Sequence, residues 1–203
     1  MKLNLGCGFQ TPDGWINVDY AFGARLSKLF LLRVLNDRFK FFGGRWSRMV
    51  YIHNLSKRLP WPDNSIDVIY TSHTLEHFTK NDGYRFLLEC HRVLRKGGII
   101  RVVVPDLSVI IKKYNCGELV APDFLDALGV VNTSLGFLCI NYFRNSFSSH
   151  KCMYDFPSLS ATLNNIGFLA QSYAPLQSSI LDIDKIEQIS RTIDAVIAEG
   201  RKM

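Results

Sequence analysis

The chain has 203 residues, of which 47% are hydrophobic and 21% are charged. This composition indicates a folded globular chain and excludes an intrinsically disordered one. Its five cysteines include no Cys-x-x-Cys pair, which argues against a disulfide framework or a zinc site and fits a reducing cytoplasm. No apolar run approaches the roughly 20 residues of a membrane span. The first apolar run begins almost at Met1, so we expect no signal peptide.

The net charge of +6 is concentrated in one segment. Residues 20–48 contain one acid, Asp37, and a set of basic residues: Arg25, Lys28, Arg33, Arg38, Lys40, Arg45 and Arg48. Apolar residues at helical spacing share this segment with the aromatic residues Phe39, Phe41, Phe42 and Trp46. We interpret residues 20–48 as a basic amphipathic insertion. It either contacts an anionic partner or a membrane surface, or packs its apolar side on the fold and exposes its charges.

The first half of the chain alternates apolar runs with turns. Strands are predicted over residues 2–5, 15–19, 49–52 and 66–71. The turn sequence Thr11-Pro12-Asp13-Gly14 separates the first two strands and leaves room for a short helix at most. The apolar face of residues 82–95 predicts a helix that ends at Gly97.

The second half begins with a β-branched run over residues 99–104, which predicts a fifth strand. Residues 106–149 mix helical patterns with loops and are predicted to form a substrate lid. A helix over 158–166 and a strand over 168–174 follow. The tail at 193–199 fits a strand by its alternation and a helix by its composition.

Strands that alternate with helices predict a parallel sheet covered on both faces. The carboxyl ends of its strands share one edge, and ligands bind there where the strand order reverses. The residues that follow predicted strands directly are Gly6, Cys7, Gly8, Asp19, Asn54, Ser72, His73 and Asp106. We therefore expect one ligand site at this edge.

Several motifs, taken in order, resemble those of a single enzyme family. They are Leu3-Asn4-Leu5-Gly6-Cys7-Gly8, Asp19, Leu59-Pro60-Trp61-Pro62-Asp63, Glu76-His77, Val93 to Gly98 and His150 to Asp155. Residues 2 to about 174 resemble the class I methyltransferases that use S-adenosylmethionine, and among them the small bacterial type 11 group. The resemblance implies an α/β, Rossmann-like, doubly wound fold. Its mostly parallel seven-stranded sheet has an antiparallel last strand, here with a shortened first helix, a lid insertion and a single domain over residues 1–203.

The resemblance also implies a cofactor site for S-adenosylmethionine. Gly6 and Gly8 would bring the backbone against the methionine and ribose parts, because a side chain there would fill the space. Asp19 would accept hydrogen bonds from the ribose hydroxyls, and Asn54 and Leu55 would meet the adenine. The same site includes Asn4, Cys7 and Ser72.

This cofactor motif departs from the usual pattern at three positions. Asn4 stands where the family often has an acid, and Gln10 stands where it often has a third glycine. Asn54 stands where the residue beside the adenine is often aspartate. The rival nicotinamide fingerprint requires a glycine at the position of Thr11 and an acid farther along than Asp19. A nicotinamide enzyme is therefore the weaker alternative.

Methyl transfer to a hydroxyl requires alignment and benefits from a general base. The candidate bases are His73 and His77 after the fourth strand, Asp106 after the fifth, and His150 in the lid. The His-x-x-x-Tyr-Asp motif of a subset of these enzymes is similar to His150, Tyr154 and Asp155, which are therefore predicted to bind the acceptor. No metal ion is expected.

Missing motifs narrow the choice of acceptor. The chain has no Asp-Pro-Pro-Tyr or Asn-Pro-Pro-Tyr after the fourth strand and no Pro-Cys pair, so a DNA substrate is not expected. A basic segment without an ordered stacking surface argues against nucleic acid in general. Type 11 enzymes often accompany polysaccharide assembly, which implies a small-molecule or glycan hydroxyl, anionic or lipid-linked, as the acceptor.

The predicted location is the cytoplasm, with peripheral contact at the inner leaflet of the membrane. Two alternatives remain open at this point. The chain could be a non-catalytic partner subunit that binds S-adenosylmethionine, or it could methylate nitrogen in RNA or a small molecule.

Overall fold

The computed structural model describes residues 1–29, 38, 46–129 and 149–203. The strands are β1 (Lys2–Leu5), β2 (Ile16–Asp19), β3 (Tyr51–Ile52), β4 (Ile66–Ser72), β5 (Leu94–Pro105), β6 (Phe168–Ser172) and β7 (Ala195–Lys202). The α-helices of the described residues are α1 (Phe22–Leu26), α2 (Lys80–Val93), α3 (Leu107–Asn115), α4 (Ala121–Ala127) and α5 (Phe156–Ile166). Short 3₁₀ helices lie at Leu75–His77, Ile183–Lys185 and Ile189–Arg191.

The strands form one seven-stranded sheet in the order β3-β2-β1-β4-β5-β7-β6. Strands β1 to β5 run parallel to one another, and β7 lies antiparallel between β5 and β6. The strand order reverses between β1 and β4, which opens a crevice at their carboxyl ends. The predicted doubly wound, Rossmann-like α/β fold with an antiparallel last strand is confirmed. Residues 6–15, between β1 and β2, form turns, in agreement with the predicted shortening of the first helix.

The boundaries of α2 differ from the prediction at both ends. The helix starts at Lys80 because the Thr79 hydroxyl caps it, accepting a hydrogen bond from the Asp82 amide (3.2 Å) and donating one to the Asp82 carboxylate (2.7 Å). It ends at Val93, before Gly97, because Leu94 is already extended and pairs with Ile66 of β4.

The tail is a strand, as the resemblance implied, although it starts two residues later than predicted and continues to Lys202. β3 is shorter than predicted and consists of Tyr51–Ile52. The helix predicted over 158–166 starts at Phe156 because Asp155 caps it. The predicted stop at Gly167 is confirmed, since this residue adopts the left-handed conformation (φ 110°).

Both faces of the sheet are covered. On one face α2 and α5 pack on β1, β4 and β5, with Leu3, Leu87, Ile100 and Leu163 fully buried. On the other face the segment that includes Ile180 and Ile183 packs against Tyr70, Val103 and Ile197. The sequence analysis predicted no element for this second segment.

A buried ion network fastens that segment to the sheet. Arg101 of β5 is fully buried, and its guanidinium donates two hydrogen bonds to Glu187 (2.7 Å each) and one to Glu199 (2.8 Å). It also donates to the carbonyls of Ala174 and Gln177. Burial opposes the charge on Arg101, but these carboxylates outweigh it and raise the pKa of the guanidinium. Such a network is stable only when complete.

Candidate active site

The glycine-rich loop after β1 is held against the end of β2 by backbone hydrogen bonds. The amides of Gly6 and Cys7 donate to the Val18 carbonyl (2.9 and 3.0 Å). The Gly8 amide donates to Asp19 Oδ2 (2.8 Å), and the Ala21 amide donates to Asp19 Oδ1 (2.7 Å). The Asp19 carboxylate therefore joins the loop to the start of α1, and each of its oxygens retains a lone pair for a ligand hydroxyl.

The two glycines of the loop serve different purposes. Both have a positive φ, 72° at Gly6 and 55° at Gly8. A Cβ on Gly6 would lie 2.7 Å from Thr74 Cγ2 and nearer still to Thr74 Oγ1, whereas a Cβ on Gly8 would meet nothing within 4 Å. The missing side chain of Gly6 therefore makes room for Thr74, while its contact with the cofactor stays a prediction. Open space for a ligand adjoins Gly8.

Asn4 and Cys7 support the loop through buried side chains. The Asn4 amide nitrogen donates to the Gln10 carbonyl (3.0 Å) and to Asn17 Oδ1 (2.9 Å). The Cys7 side chain packs against Ala24. Burial and, secondarily, the charge of Asp19 raise the pKa of the Cys7 thiol to about 12. The two residues fix the shape of the loop, and direct contact with the cofactor stays a prediction.

The remaining predicted cofactor residues lie after β3 and at the end of β4. Asn54 Oδ1 accepts a hydrogen bond from the Ser56 amide (2.9 Å), while Leu55 is part of the core. The Ser72 hydroxyl and carbonyl both accept hydrogen bonds from Arg191 (3.4 and 3.0 Å). Their predicted contacts with adenine and methionine stay predictions.

Three of the four predicted catalytic residues converge on one buried carboxylate. We call His73, Glu76, His77 and His150 the Glu76 cluster. Glu76 has 0% exposure, and neither of its carboxylate oxygens has a hydrogen-bond partner among the described residues. Its Oε1 lies 3.2 Å from His73 Nδ1 and 4.0 Å from His150 Nε2. The rings of His77 and His150 lie 5.2 Å apart, centroid to centroid.

Backbone contacts bring this cluster together. The Glu76 carbonyl accepts hydrogen bonds from the amides of Lys151 (2.8 Å) and Cys152 (3.2 Å), which places His150 beside the 3₁₀ helix after β4. The pKa of His77 is lowered, mainly by burial and against the opposing charge of Glu76. Its imidazole is therefore neutral near neutral pH.

The other predicted catalytic and acceptor residues take part in helix starts and in the core. Asp106 caps α3, with its Oδ1 accepting a hydrogen bond from the Ser108 amide (2.8 Å). Asp155 caps α5 in a reciprocal capping box with Ser158. Tyr154 is buried in the core, its carbonyl accepts a hydrogen bond from the Leu107 amide (2.9 Å), and its pKa is raised mainly by burial. Acceptor binding by Tyr154 and Asp155 stays a prediction.

Two residues of the site were missed by the sequence analysis as candidates. Glu76 carried a signal, because it lies three residues after His73 and directly before His77. Arg191 carried none. It is far from the site in sequence, yet it donates to Ser72, and its carbonyl lies 2.8 Å from His73 Nε2.

Parts of the insertion and of the lid lie outside the described residues. These parts are residues 30–37, 39–45 and 130–148, which include Arg33, Lys40, Arg45, Phe39, Phe41 and Phe42. Trp46, at the end of the insertion, is buried beside Cys7 and Val50, which favours packing over membrane contact for that side chain. Arg38 is exposed.

Residues 3–102 match the model of a methyltransferase domain family. The matched residues contain the glycine-rich loop, Asp19 and the first members of the Glu76 cluster, His73 to His77. These residues carry the methyltransferase domain of the class I enzymes that use S-adenosylmethionine. The cofactor of this family is S-adenosylmethionine, and the open space at Gly8 together with the free lone pairs of Asp19 fits its ribose and methionine parts.

A related protein supports the assignment of this methyltransferase over a short stretch. A probable S-adenosylmethionine-dependent methyltransferase of Mycolicibacterium smegmatis is 39% identical over 62 residues. The stretch amounts to 30% of this chain and 23% of the relative. The chain thus matches less than a quarter of that relative's length.

Solved structures share the fold over nearly the whole chain. YcgJ of Bacillus subtilis has a TM-score of 0.52 at 15% identity, covering 99% of this chain and 91% of YcgJ. A possible histamine N-methyltransferase of Thermotoga maritima has a TM-score of 0.52 at 18% identity, covering 100% and 81%. The 1,6-didemethyltoxoflavin N1-methyltransferase of Burkholderia thailandensis, solved with 1,6-didemethyltoxoflavin and S-adenosylhomocysteine, has a TM-score of 0.51 at 14% identity, covering 100% and 70%. At these identities the likeness concerns the fold alone.

Among the described helices of this methyltransferase, none combines the length and the apolar composition that a membrane crossing requires.

Proposed function

We propose that this methyltransferase transfers a methyl group from S-adenosylmethionine to a hydroxyl of a small-molecule or glycan acceptor during the synthesis of a cell-surface polysaccharide. The single observation that carries the proposal is that the Glu76 cluster lies beside the glycine-rich loop after β1. The loop and the cluster are joined through Thr74, whose side chain fills the space next to Gly6. A hydroxyl is a weak nucleophile and needs a neighbouring proton acceptor, whereas an amine has less need of one.

Residues of the loop would hold the cofactor, and residues of the cluster would act on the acceptor. S-adenosylmethionine, when bound, supplies a methyl group activated by the positive charge of its sulfonium. Asp19 accepts hydrogen bonds from the ribose hydroxyls, and the backbone at Gly8 leaves space for the adjoining parts. His73 takes the proton of the acceptor hydroxyl on Nδ1, since its Nε2 already donates to the Arg191 carbonyl (2.8 Å). The charge of Glu76, 3.2 Å away, stabilises the resulting imidazolium.

The acceptor would enter from the side of the two partly described segments. We propose that residues 106–149 act as its lid and that residues 20–48 contact the phosphate or lipid part of a glycan carrier. A cytoplasmic protein that binds peripherally at the inner leaflet fits this arrangement. The supporting feature is the concentration of basic residues between Arg25 and Arg48.

The first experiment tests cofactor binding and transfer with purified protein. Calorimetry with S-adenosylmethionine should show binding that Asp19→Asn weakens by about tenfold or more, since a charged acceptor is lost. The control, Asp13→Asn, alters an exposed acid of the same loop region and should bind as the wild type does. A thermal melt of each variant separates lost binding from lost folding.

The second experiment identifies the product. Radiolabelled methyl groups from S-adenosylmethionine should enter the polysaccharide or lipid-linked sugar fraction of a cell extract, and mass spectrometry should find a sugar methyl ether. Binding without transfer to any fraction would favour the non-catalytic subunit. A methylated amine or RNA would favour the N-methyltransferase alternative.

The third experiment tests the basic insertion. A variant with Arg33, Arg38 and Arg45 changed to glutamine should bind anionic phospholipid vesicles more weakly than the wild type. The control changes Lys57, Lys80 and Lys96, which are exposed on other parts of the fold, and removes the same charge. Equal vesicle binding by both variants would refute specific contact by residues 20–48.

A further inference from the structure

Glu76 is a carboxylate in an unusual position. It is fully buried, and neither of its carboxylate oxygens has a hydrogen-bond partner among the residues that the structure describes. Within the described parts of the chain, its ion-pair contacts are to His73 and His150 and not to a lysine or arginine. A buried carboxylate without compensation costs several kcal/mol, so this site requires a proton or a metal cation.

Each histidine around Glu76 forms a hydrogen bond between one ring nitrogen and a backbone carbonyl. His150 Nδ1 lies 2.8 Å from the Leu128 carbonyl, and His77 Nδ1 lies 3.4 Å from the Ser149 carbonyl. A carbonyl only accepts, so Nδ1 carries the hydrogen in both rings and Nε2 keeps its lone pair. A metal-binding histidine is oriented in the same way, with its other nitrogen donating to a carbonyl or carboxylate.

The backbone around His150 is shaped to hold this ring. A Cβ on Gly129 would lie 2.6 Å from His150 Cε1 and nearer still to Nδ1, so any larger residue at that position would displace the imidazole. The His150 amide also donates to the Gly129 carbonyl (2.8 Å). The orientation of the His150 ring therefore depends on contacts that do not involve the Glu76 carboxylate.

We propose that Glu76, His77 and His150 bind a divalent first-row transition-metal ion of the zinc type. One ligand atom of each residue lies within 4.8 Å of the other two. Bonds of about 2.0–2.2 Å place tetrahedral ligands roughly 3.3–3.6 Å apart, so the three side chains must close by about 1 Å. Two imidazoles and one carboxylate suit such an ion and leave a coordination position open. This proposal reverses the expectation, drawn from the sequence, that no metal binds.

A proton is the competing explanation for the charge of Glu76. A single proton shared with His73 would pair one nitrogen with one oxygen of Glu76, and it would not involve the Nε2 lone pairs of His77 and His150. A metal ion satisfies these two nitrogens and the carboxylate together. It would also link the segment after β4 to residues 149–152. Its open position would hold the acceptor oxygen, and this last role alone rests on the proposed function.

The test uses full-length, tag-free protein treated with EDTA and then titrated with Zn²⁺. We expect one equivalent of Zn²⁺ to bind, with a rise in melting temperature. Glu76→Gln and His150→Gln should each lower the affinity by at least about tenfold, while the control His91→Gln, a half-buried histidine next to α5, should not. Co²⁺ should give the spectrum of a nitrogen and oxygen site without a thiolate band, which excludes binding by cysteines.

The stability of each variant is also measured without metal, which shows whether a variant that binds no Zn²⁺ is still folded. Metal-free Glu76→Gln should be at least as stable as the metal-free wild type, because the uncompensated charge is gone, and Zn²⁺ should not stabilise it. Absent uptake, or uptake unchanged in Glu76→Gln and His150→Gln, would overturn the metal site.

The proposed metal site and the proposed methyl transfer can be refuted independently of each other. Zn²⁺ binding without methyl transfer would leave the site standing and reject the proposed function. Methyl transfer by EDTA-treated protein that binds no Zn²⁺ would do the reverse.

Discussion

The side chain of Thr74 occupies the space that a Cβ on Gly6 would need, so the loop after β1 and the residues after β4 fit only if Gly6 is glycine. A Cβ there would lie 2.7 Å from Thr74 Cγ2. This steric fit fixes the position of the glycine-rich loop after β1 relative to the Glu76 cluster.

We expect Gly6→Ala to lower the free energy of unfolding by about 2–4 kcal/mol, from the positive φ together with the overlap. Gly8→Ala should cost only about 1–2 kcal/mol, since its Cβ would point into open space. Urea unfolding measures both, and the double variant Gly6→Ala, Thr74→Ala should recover part of the loss. Equal losses for the two glycine variants would contradict this interpretation. Binding of S-adenosylmethionine should suffer in Gly8→Ala despite its milder effect on folding.

Removal of Arg101 should be among the most damaging single changes outside the active site. Arg101→Met leaves Glu187 and Glu199 buried without their partner, and we expect a loss of about 3–5 kcal/mol in unfolding free energy. The control is Arg95→Met, which removes an ion pair with Asp67 at an exposed site and should cost less than about 1 kcal/mol. A loss in Arg101→Met no larger than in this control would mean that the network does not fasten residues 173–192 to the sheet.

The contribution of the Asp155 helix cap to the free energy of unfolding should depend on pH. Hydrogen bonds from the Ser158 hydroxyl and amide lower the pKa of Asp155 below its ordinary value. The stability that it provides is therefore present above the unfolded pKa of about 3.9 and is lost as the pH falls through the folded pKa. Asp155→Ala should cost about 1 kcal/mol at neutral pH, and this difference should shrink toward about pH 3.

Asp155→Asn is the matched variant for that measurement. Asparagine caps helices nearly as well as aspartate, so its stability should stay close to that of the wild type at neutral pH. If Asp155→Asn retains stability but loses methyl transfer, the predicted contact of Asp155 with the acceptor gains support.

The Cys7 thiol should be unreactive in the folded protein. Its pKa is raised to about 12 by burial and by Asp19, so almost no thiolate exists at mildly alkaline pH. Brief alkylation followed by peptide mapping should label the exposed Cys116 and spare Cys7 and Cys90 until urea is added. Labelling of Cys7 as fast as Cys116 in native protein would show that the loop opens readily.

The sheet could be predicted because each strand is marked by residues that are close together in the sequence. Short apolar runs such as residues 2–5, 66–71 and 99–104 predict parallel strands, whose carboxyl ends share one edge of the sheet. The cap of α2 is local too, yet its hydrogen bonds between Thr79 and Asp82 were not predicted, and the helix was expected to start at residue 82 instead of Lys80.

The contacts that complete the site were not predictable in this way. Arg101 and Glu187 are far apart in sequence, and nothing near either residue indicates that each will be buried. The spacing of Glu76 to His73 and His77 indicates a shared site, but the burial of Glu76 depends on the 3₁₀ helix Leu75–His77. The roles of Gly6 and Gly8 are likewise indistinguishable in the sequence, because only the position of Thr74 separates a packing glycine from one beside a ligand space.

The hydrogen bond between the Gly129 carbonyl and the His150 amide has a consequence for how this enzyme can diversify. It brings the backbones on either side of residues 130–148 together, so a replacement sequence of almost any length needs to bridge only a short gap. Recombination or engineering can therefore change the length of this stretch without displacing the strands or the glycine-rich loop after β1.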